Sequence, residues 1–232
     1  MGYFLSTGTC ILCVGRALAW HVSHPSVSRL LQHDLCIPQD YAQLGILKRH
    51  FPTVPLIAVT ATASERVRAD VCAILGLQAA STRMFRSTAN RPNLRYAICP
   101  KADTKDAIVA DMTAWIQTHW PTDAGIIYTL SRKEAETVAA GLRAHGIPAD
   151  AYHSDVAAGR KQRIHQQWMD NHLQVVVATI AFGLGINKPN VRFVLHHCIS
   201  KNVDSYYQES GRAGRDGDPA DCVLYYSPKV SL

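Results

Sequence analysis

The stretch Gly125-Ile126-Ile127-Tyr128-Thr129-Leu130-Ser131-Arg132, which runs on through KEAETVAAGLRAH to Gly146, decides the fold. Its first six residues read as a strand, and Ser131 and Arg132 then open a helix that continues to about His145, where Gly146 ends it. A strand that passes directly into a helix is the repeating unit of a parallel sheet, because parallel neighbours need a crossover to bring the chain back. The same alternation extends in both directions. Upstream, Leu56 to Thr60 is a strand, and Ser64 caps a helix through Leu75, with Glu65 in its first turn and Gly76 as its stop. Arg95 to Ile98 is a short strand. Lys105 to His119 places Ile108, Met112, Trp115 and Ile116 on one helical face, as core residues. Downstream, Ala149 to Tyr152 is a strand and Ala157 to about Asn171 a helix. Leu173 to Ala178 and Val191 to His196 are apolar strands of the kind buried on both faces. Val203 to Arg212 is helical, and Cys222 to Tyr226 closes the sheet. The fold class is α/β, and the carboxyl ends of the strands, where Ser131 and Arg132 emerge, form the edge at which open parallel sheets bind ligands.

Composition narrows the function. With 232 residues and 47% hydrophobic content, the chain can bury a sizeable core. Its net charge of +6 favours an acidic partner, nucleic acid first. Seven scattered cysteines, an odd number, suit a reducing compartment better than a disulfide framework. Cys10 and Cys13 have zinc-ligand spacing, but His21 and His24 follow too soon for a finger, so no metal site is expected. The apolar run Cys10 to Val14 precedes Ala17-Leu18-Ala19 in the manner of a signal peptide, yet no Lys or Arg stands ahead of it. Met1-Gly2 with Ser6 matches only a short myristoylation pattern. No run approaches the roughly eighteen apolar residues of a membrane span.

Asn90-Arg91-Pro92-Asn93 is the candidate domain boundary, since it is polar and its proline biases Arg91 away from helix. Residues 1–33 have no clear period and form an unspecified leader. Segments 34–90 and 91–232 follow, and the stable unit is expected to begin near Asn90.

The sharpest chemical feature is Tyr206-Tyr207-Gln208-Glu209-Ser210-Gly211-Arg212-Ala213-Gly214-Arg215-Asp216-Gly217. Two arginines, each preceded by a glycine, place two planar cations near a helix end, and a guanidinium fork can give a phosphate two parallel hydrogen bonds. This run resembles the sixth motif of superfamily-two helicases in its RecQ form. Val177-Ala178-Thr179-Ile180-Ala181-Phe182-Gly183-Leu184-Gly185-Ile186-Asn187-Lys188-Pro189 is similar to the fifth motif, and Thr60-Ala61-Thr62-Ala63 to the third. Gly125 to Tyr128 followed by Ser131-Arg132 resembles the fourth, and Ala151-Tyr152-His153 the family's next strand and loop. The resemblance runs from about Asp40 to Tyr226 and is nearest the short eukaryotic RecQ-like type.

This resemblance implies a RecA-like parallel sheet flanked by helices: the helicase C-terminal lobe in 91–232, with a remnant of the first lobe in 34–90. It implies an ATP-driven helicase that moves 3′ to 5′ on single-stranded or junction DNA, using ATP and Mg²⁺, in the nucleus if the source is eukaryotic. Arg215 matches the arginine finger that reaches the γ-phosphate, and Arg212 its companion. Gln208, Asn187, Gly185, Thr60 and Thr62 match positions that bind nucleotide or couple hydrolysis to lobe closure. Thr179, Ser131, Arg132 and His153 match the DNA path. The departures are as informative. The sequence contains no GxxxxGK[ST] loop to cradle phosphates and no Asp-Glu-x-His box to hold Mg²⁺ and orient water. The tryptophan of the family's aromatic-rich loop and the cysteine-rich zinc module also lack counterparts. The expectation is therefore a truncated helicase, inactive alone, with an inactive DNA- or partner-binding lobe as the alternative. An RNA helicase of the same superfamily fits Tyr206 to Gly217 less well.

Overall fold

The computed structural model describes residues 10–14, 43–60, 65–86, 88, 90–179 and 187–228. The chain divides into two compact units, Met1–Asn90 and Arg91–Leu232.

In the first unit, β1 (Cys10–Val14) lies between β2 (Ile57–Thr60) and β3 (Thr82–Arg86), parallel to both. Helices α1 (Gly45–His50) and α2 (Glu65–Leu75) and a single 3-10 turn at Ala79–Ser81 complete its described elements. β1 corrects the reading of 1–33 as an unspecified leader. A five-residue apolar run is too short a sample for a period to register, and composition alone cannot separate a central strand from a signal-like segment. The helix expected to end at Gly76 does so: Gly76 has φ +65°, and the Leu77 N–H donates to Cys72 O at 2.9 Å. Leu75 and Leu77 are buried here, packed with Leu44, Leu56, Ala58, Val71 and Cys72.

The second unit holds one six-stranded, wholly parallel sheet in the order β4-β9-β8-β5-β7-β6. Its strands are β4 (Leu94–Pro100), β5 (Ala124–Tyr128), β6 (Ala149–Tyr152), β7 (Val175–Ala178), β8 (Val191–His196) and β9 (Ala220–Tyr226). Among the described residues, four helices accompany them: α3 (Lys105–His119), α4 (Arg132–Ala144), α5 (Ala158–Met169) and α6 (Val203–Ser210). Every residue of β5, β7 and β8 is buried, as apolar runs flanked by helices require. Alternate side chains sort into two cores. Ile127, Val175, Val177 and Leu195 meet Met112, Ile116, Val138 and Leu142 of α3 and α4. Ile126, Tyr128, Val176 and Val194 lie on the opposite face with Ile164 and Trp168 of α5.

The helix expected to run through Arg212 stops at Ser210, because Gly211 is followed by a turn in which Gly214 takes φ +52°. Trp115, expected in the core, packs against it half-buried and meets Phe193 edge-on at 5.9 Å. Phe193 in turn lies over Gly125, whose register with β8 shifts at Ala124/Gly125. A Cβ on Gly125 would fall 2.0 Å from the Phe193 ring, so the central strand needs glycine there for the aromatic ring to pack. Gly125→Ala should therefore cost about 1–3 kcal/mol by overpacking, read as a lowered unfolding free energy in thermal or denaturant melts. An unchanged midpoint would show that the ring has room to move.

Candidate functional site

The helix α6 begins at Asn202, whose Oδ1 accepts the Ser205 N–H at 2.7 Å, with Asp204 in the favourable first turn. Its far end is fastened to the sheet by a buried acid. Glu209 accepts from Ser200 Oγ at 2.5 Å and pairs with His196 Nε2 at 3.0 Å. The His196 ring stacks on Tyr128 and tilts against Tyr206.

Beyond Ser210 the chain turns through residues 211–219 into β9, and this turn carries both motif arginines. It is pinned on several sides. The Gly214 N–H donates to Val191 O at 2.8 Å, and Asn93 Nδ2 donates to Gly214 O at 2.9 Å and Asp218 O at 2.8 Å. The Arg91 guanidinium donates to Gly211 O at 3.0 Å and also to Gly214 O. Arg192, 7% exposed, donates to Asp216 Oδ1 at 2.6 Å and to Pro219 O at 3.1 Å. A Cβ on Gly214 would lie 2.5 Å from Asn93 Nδ2, so glycine is needed for contact as well as for φ.

Arg212 is half-buried and donates to the Tyr128 hydroxyl at the end of β5. Burial lifts the Tyr128 pKa far above the ordinary phenol range, so the group stays neutral and accepts from the guanidinium. Arg215 is exposed on the same turn. Burial of part of its side chain, then the like charges of Arg212 and Arg91, lower its pKa. It remains a cation, because no protein environment deprotonates arginine at neutral pH. Three guanidiniums are thus held near one another, an arrangement that a multiply charged anion would relieve. Gln208 is exposed on α6, and Asn187 is exposed beside Lys188. Lys188 is itself buried, bonded to Asn171 Oδ1 at 2.7 Å and set over the Trp168 ring.

The expected DNA-path residues gather at the carboxyl ends of β5, β6 and β7. Ser131 caps α4 in a reciprocal capping box with Glu134. Arg132 is ion-paired with Asp155, both well exposed, and this bond together with that from Ser154 holds the Asp155 carboxyl below its usual range. Thr179 is half-buried and donates its N–H to Tyr152 O at 3.4 Å. His153, expected on the DNA face, is instead 4% exposed, with Nε2 3.2 Å from Glu136 Oε1 on α4. Gly185 and Thr62 lie outside the described residues. Only the backbone of Thr60 is described, as the end of β2 in the other unit. Among the described residues no group of three or more His, Cys, Asp or Glu could hold a metal ion, and no helix is long and apolar enough to cross a membrane.

Arg91, Asn93, Tyr128, Arg192, His196 and Glu209 all shape the site, and sequence reasoning gave none of them that role. Glu209 lay inside the quoted motif, but its use as a fastener appears only once β8 is placed beside α6.

Residues 105–217 match the helicase conserved C-terminal domain. The chain is 46% identical over 188 residues to ATP-dependent DNA helicase Q-like 2 of Arabidopsis thaliana, covering 81% of this chain and 26% of that protein. It is 48% identical over 187 residues to ATP-dependent DNA helicase Q1 of Pongo abelii, covering 81% and 28%. It is 44% identical over 189 residues to the RecQ-like DNA helicase BLM of Xenopus laevis, covering 81% and 14%. The chain therefore spans under a third of the length of these relatives. Among solved structures, S. cerevisiae Dbp5 bound to RNA and ADP BeF3 superposes with TM-score 0.65 at 17% identity, over 94% of this chain and 64% of that one. The Mycobacterium smegmatis helicase Lhr bound to ssDNA and AMP-PNP superposes with TM-score 0.64 at 23% identity, over 80% and 26%. These two likenesses show the fold.

His197, 6% exposed, ties the ends of two site-bearing strands together. Its N–H donates to Tyr128 O at 2.9 Å, and Lys101 Nζ donates to His197 O at 2.7 Å. Burial and then the Lys101 charge lower its pKa from 6.5 to about 4. The unfolded chain therefore takes up this proton first. Stability that is complete above about pH 6.5 is lost as pH falls toward 4, by about 3 kcal/mol for this group. In His197→Gln that increment should vanish, so unfolding free energies of the two proteins should converge in this window. Parallel profiles would show that His197 titrates normally.

Proposed function

Because this chain belongs to the RecQ family of superfamily-two helicases, we propose that its 91–232 unit is the second RecA-like lobe of an ATP-dependent 3′ to 5′ DNA helicase. The observation that carries this is the cation cluster of Arg212 and Arg215 on a glycine-bracketed turn bolted to the sheet. Such a cluster suits the charge that spreads over a transferring phosphoryl group. In this reading Arg215 reaches the γ-phosphate, and Arg212, steadied by Tyr128, contacts the nucleotide beside it. Gln208 would link nucleotide state to the lobe interface. Asn187 would meet the nucleotide near its sugar, Gly185 would serve nucleotide binding or coupling, and Thr60 and Thr62 would link hydrolysis to closure. Bound ATP with Mg²⁺ supplies the phosphoryl transfer, and the phosphate loop and acidic box that grip them must come from a first lobe with motifs absent from these 232 residues. The same absence supports the second reading, a lobe that binds DNA or a protein partner without turnover. A nuclear location accords with the relatives' work on DNA.

The test is complementation in trans. The chain alone should hydrolyse no ATP. Added to a separately purified first lobe of a RecQ helicase with ATP, Mg²⁺ and single-stranded DNA, it should stimulate hydrolysis, and Arg215→Ala should remove roughly 10³-fold or more of that stimulation. Equal stimulation by the Arg215→Ala chain would exclude the finger role.

On the DNA side, Ser131, Arg132, Thr179 and the amide groups opening α4 would meet the backbone of one strand. His153 serves this path by fixing the turn that holds Ser154 and Asp155. The Asp155 carboxylate cancels the Arg132 charge in the DNA-free chain. Asp155→Asn should therefore tighten binding to single-stranded DNA at low salt and steepen the log-log salt slope by a little under one unit, about 0.7. Fluorescence anisotropy across a salt series measures both, and an unchanged slope would move Arg132 off the path.

A further inference from the structure

We infer that Arg91 is a positioning residue for the arginine finger, setting the 211–217 turn from the point where the chain enters this unit. This rests on the reading of Arg215 as the finger. One guanidinium donates to Gly211 O at 3.0 Å and to Gly214 O, the two carbonyls that bracket Arg212 and Ala213. A planar fork with several fixed N–H directions can span two acceptors in this way, whereas a single ammonium is a point donor.

The fork is itself held in place. Pro92 restricts the Arg91 backbone, and the Leu94 N–H donates to Arg91 O at 3.0 Å. Asn93 then grips the same turn through Gly214 O and Asp218 O, and its own carbonyl accepts the Ala220 N–H at 2.9 Å. Arg91 and Asn93 thus sit on a short rigid lead into β4 that is bonded to the turn along most of its length. Arg91 also sets the field there, since its charge is among the causes that lower the Arg215 pKa. Arg91 is the first residue of the unit, directly after Asn90. A change of backbone at Arg91–Asn93 therefore reaches the carbonyls on either side of Arg212 without passing through the sheet.

The experiment follows amide hydrogen exchange in the full chain, comparing residues 211–217 with β8 in the same unit. In parallel, inorganic tripolyphosphate is titrated while the Arg215 side-chain Nε–H resonance is observed. Arg91→Ala should speed exchange across 211–217 roughly tenfold while β8 stays protected, and should weaken the tripolyphosphate response several-fold. Arg91→Lys, which keeps the charge and loses the fork, should speed exchange of the turn nearly as much. Full restoration of both readouts by lysine would reduce Arg91 to its charge and overturn the proposal, as would an unaltered turn in Arg91→Ala. Should Arg91→Ala loosen β8 as well, Arg91→Lys decides: faster exchange confined to the turn supports the proposal, and none overturns it. If tripolyphosphate leaves Arg215 of the unaltered chain unmoved, the finger reading falls, and the exchange data still decide whether Arg91 sets the turn.

Discussion

Holding like charges close together is the constraint on which the second unit depends. Arg91, Arg212 and Arg215 repel one another, and on a free loop they would spread apart in solvent. The fold prevents this by anchoring the turn to rigid neighbours: the end of β5 through Tyr128, the start of β8 through Val191 and Arg192, and the lead into β4 through Asn93. Arg192 shows the cost of such anchoring. A nearly buried cation is stable only because Asp216 and the Pro219 carbonyl satisfy it, and removing either would leave charge stranded in low dielectric.

Much of the fold was legible because its strands are strongly patterned. The mainly apolar runs at 191–196 and 173–178, interrupted by Arg192 and Gln174, read as doubly buried strands once turn residues bounded them. The helix at Lys105–His119 announced itself by the spacing of Ile108, Met112 and Ile116. Among the described elements of the first unit, β1, α1, the 3-10 turn and β3 escaped. β1 is a lone apolar run in an aperiodic stretch, and β3 (TRMFR) carries too much charge to look like a strand. Such strands are specified by their partners more than by their own sequence.

The candidate site was legible as a motif and hidden as a mechanism of support. Arg212 and Arg215 stood out because guanidinium chemistry is readable from residue type. Arg91 and Asn93 were noticed only as a polar boundary, although they lie more than a hundred residues from the carbonyls they hold. Arg192 lies inside a run read as an apolar strand, and nothing in the sequence gave it a role. His153 misled in the opposite direction, since residue type gives no sign that a ring faces Glu136 and the interior. Side-chain to backbone bonds of long sequence separation leave no local pattern, and these are the bonds that aim the site.

The pairing of β4 with β9 has a consequence for how the protein is made. β4 is the first strand of its unit and β9 the last, joined residue by residue from Leu94↔Ala220 to Pro100↔Tyr226. A ribosome releases β4 long before β9 exists, so until β9 is made β4 has no neighbour and Arg91 no turn to hold. β8, β5, β7 and β6 can pair without β9, but β4 can join the sheet only through it, and a pairing between segments so far apart in sequence is slow to form. Even in the finished sheet β4 remains an edge strand, with Tyr96 and Ile98 exposed on it.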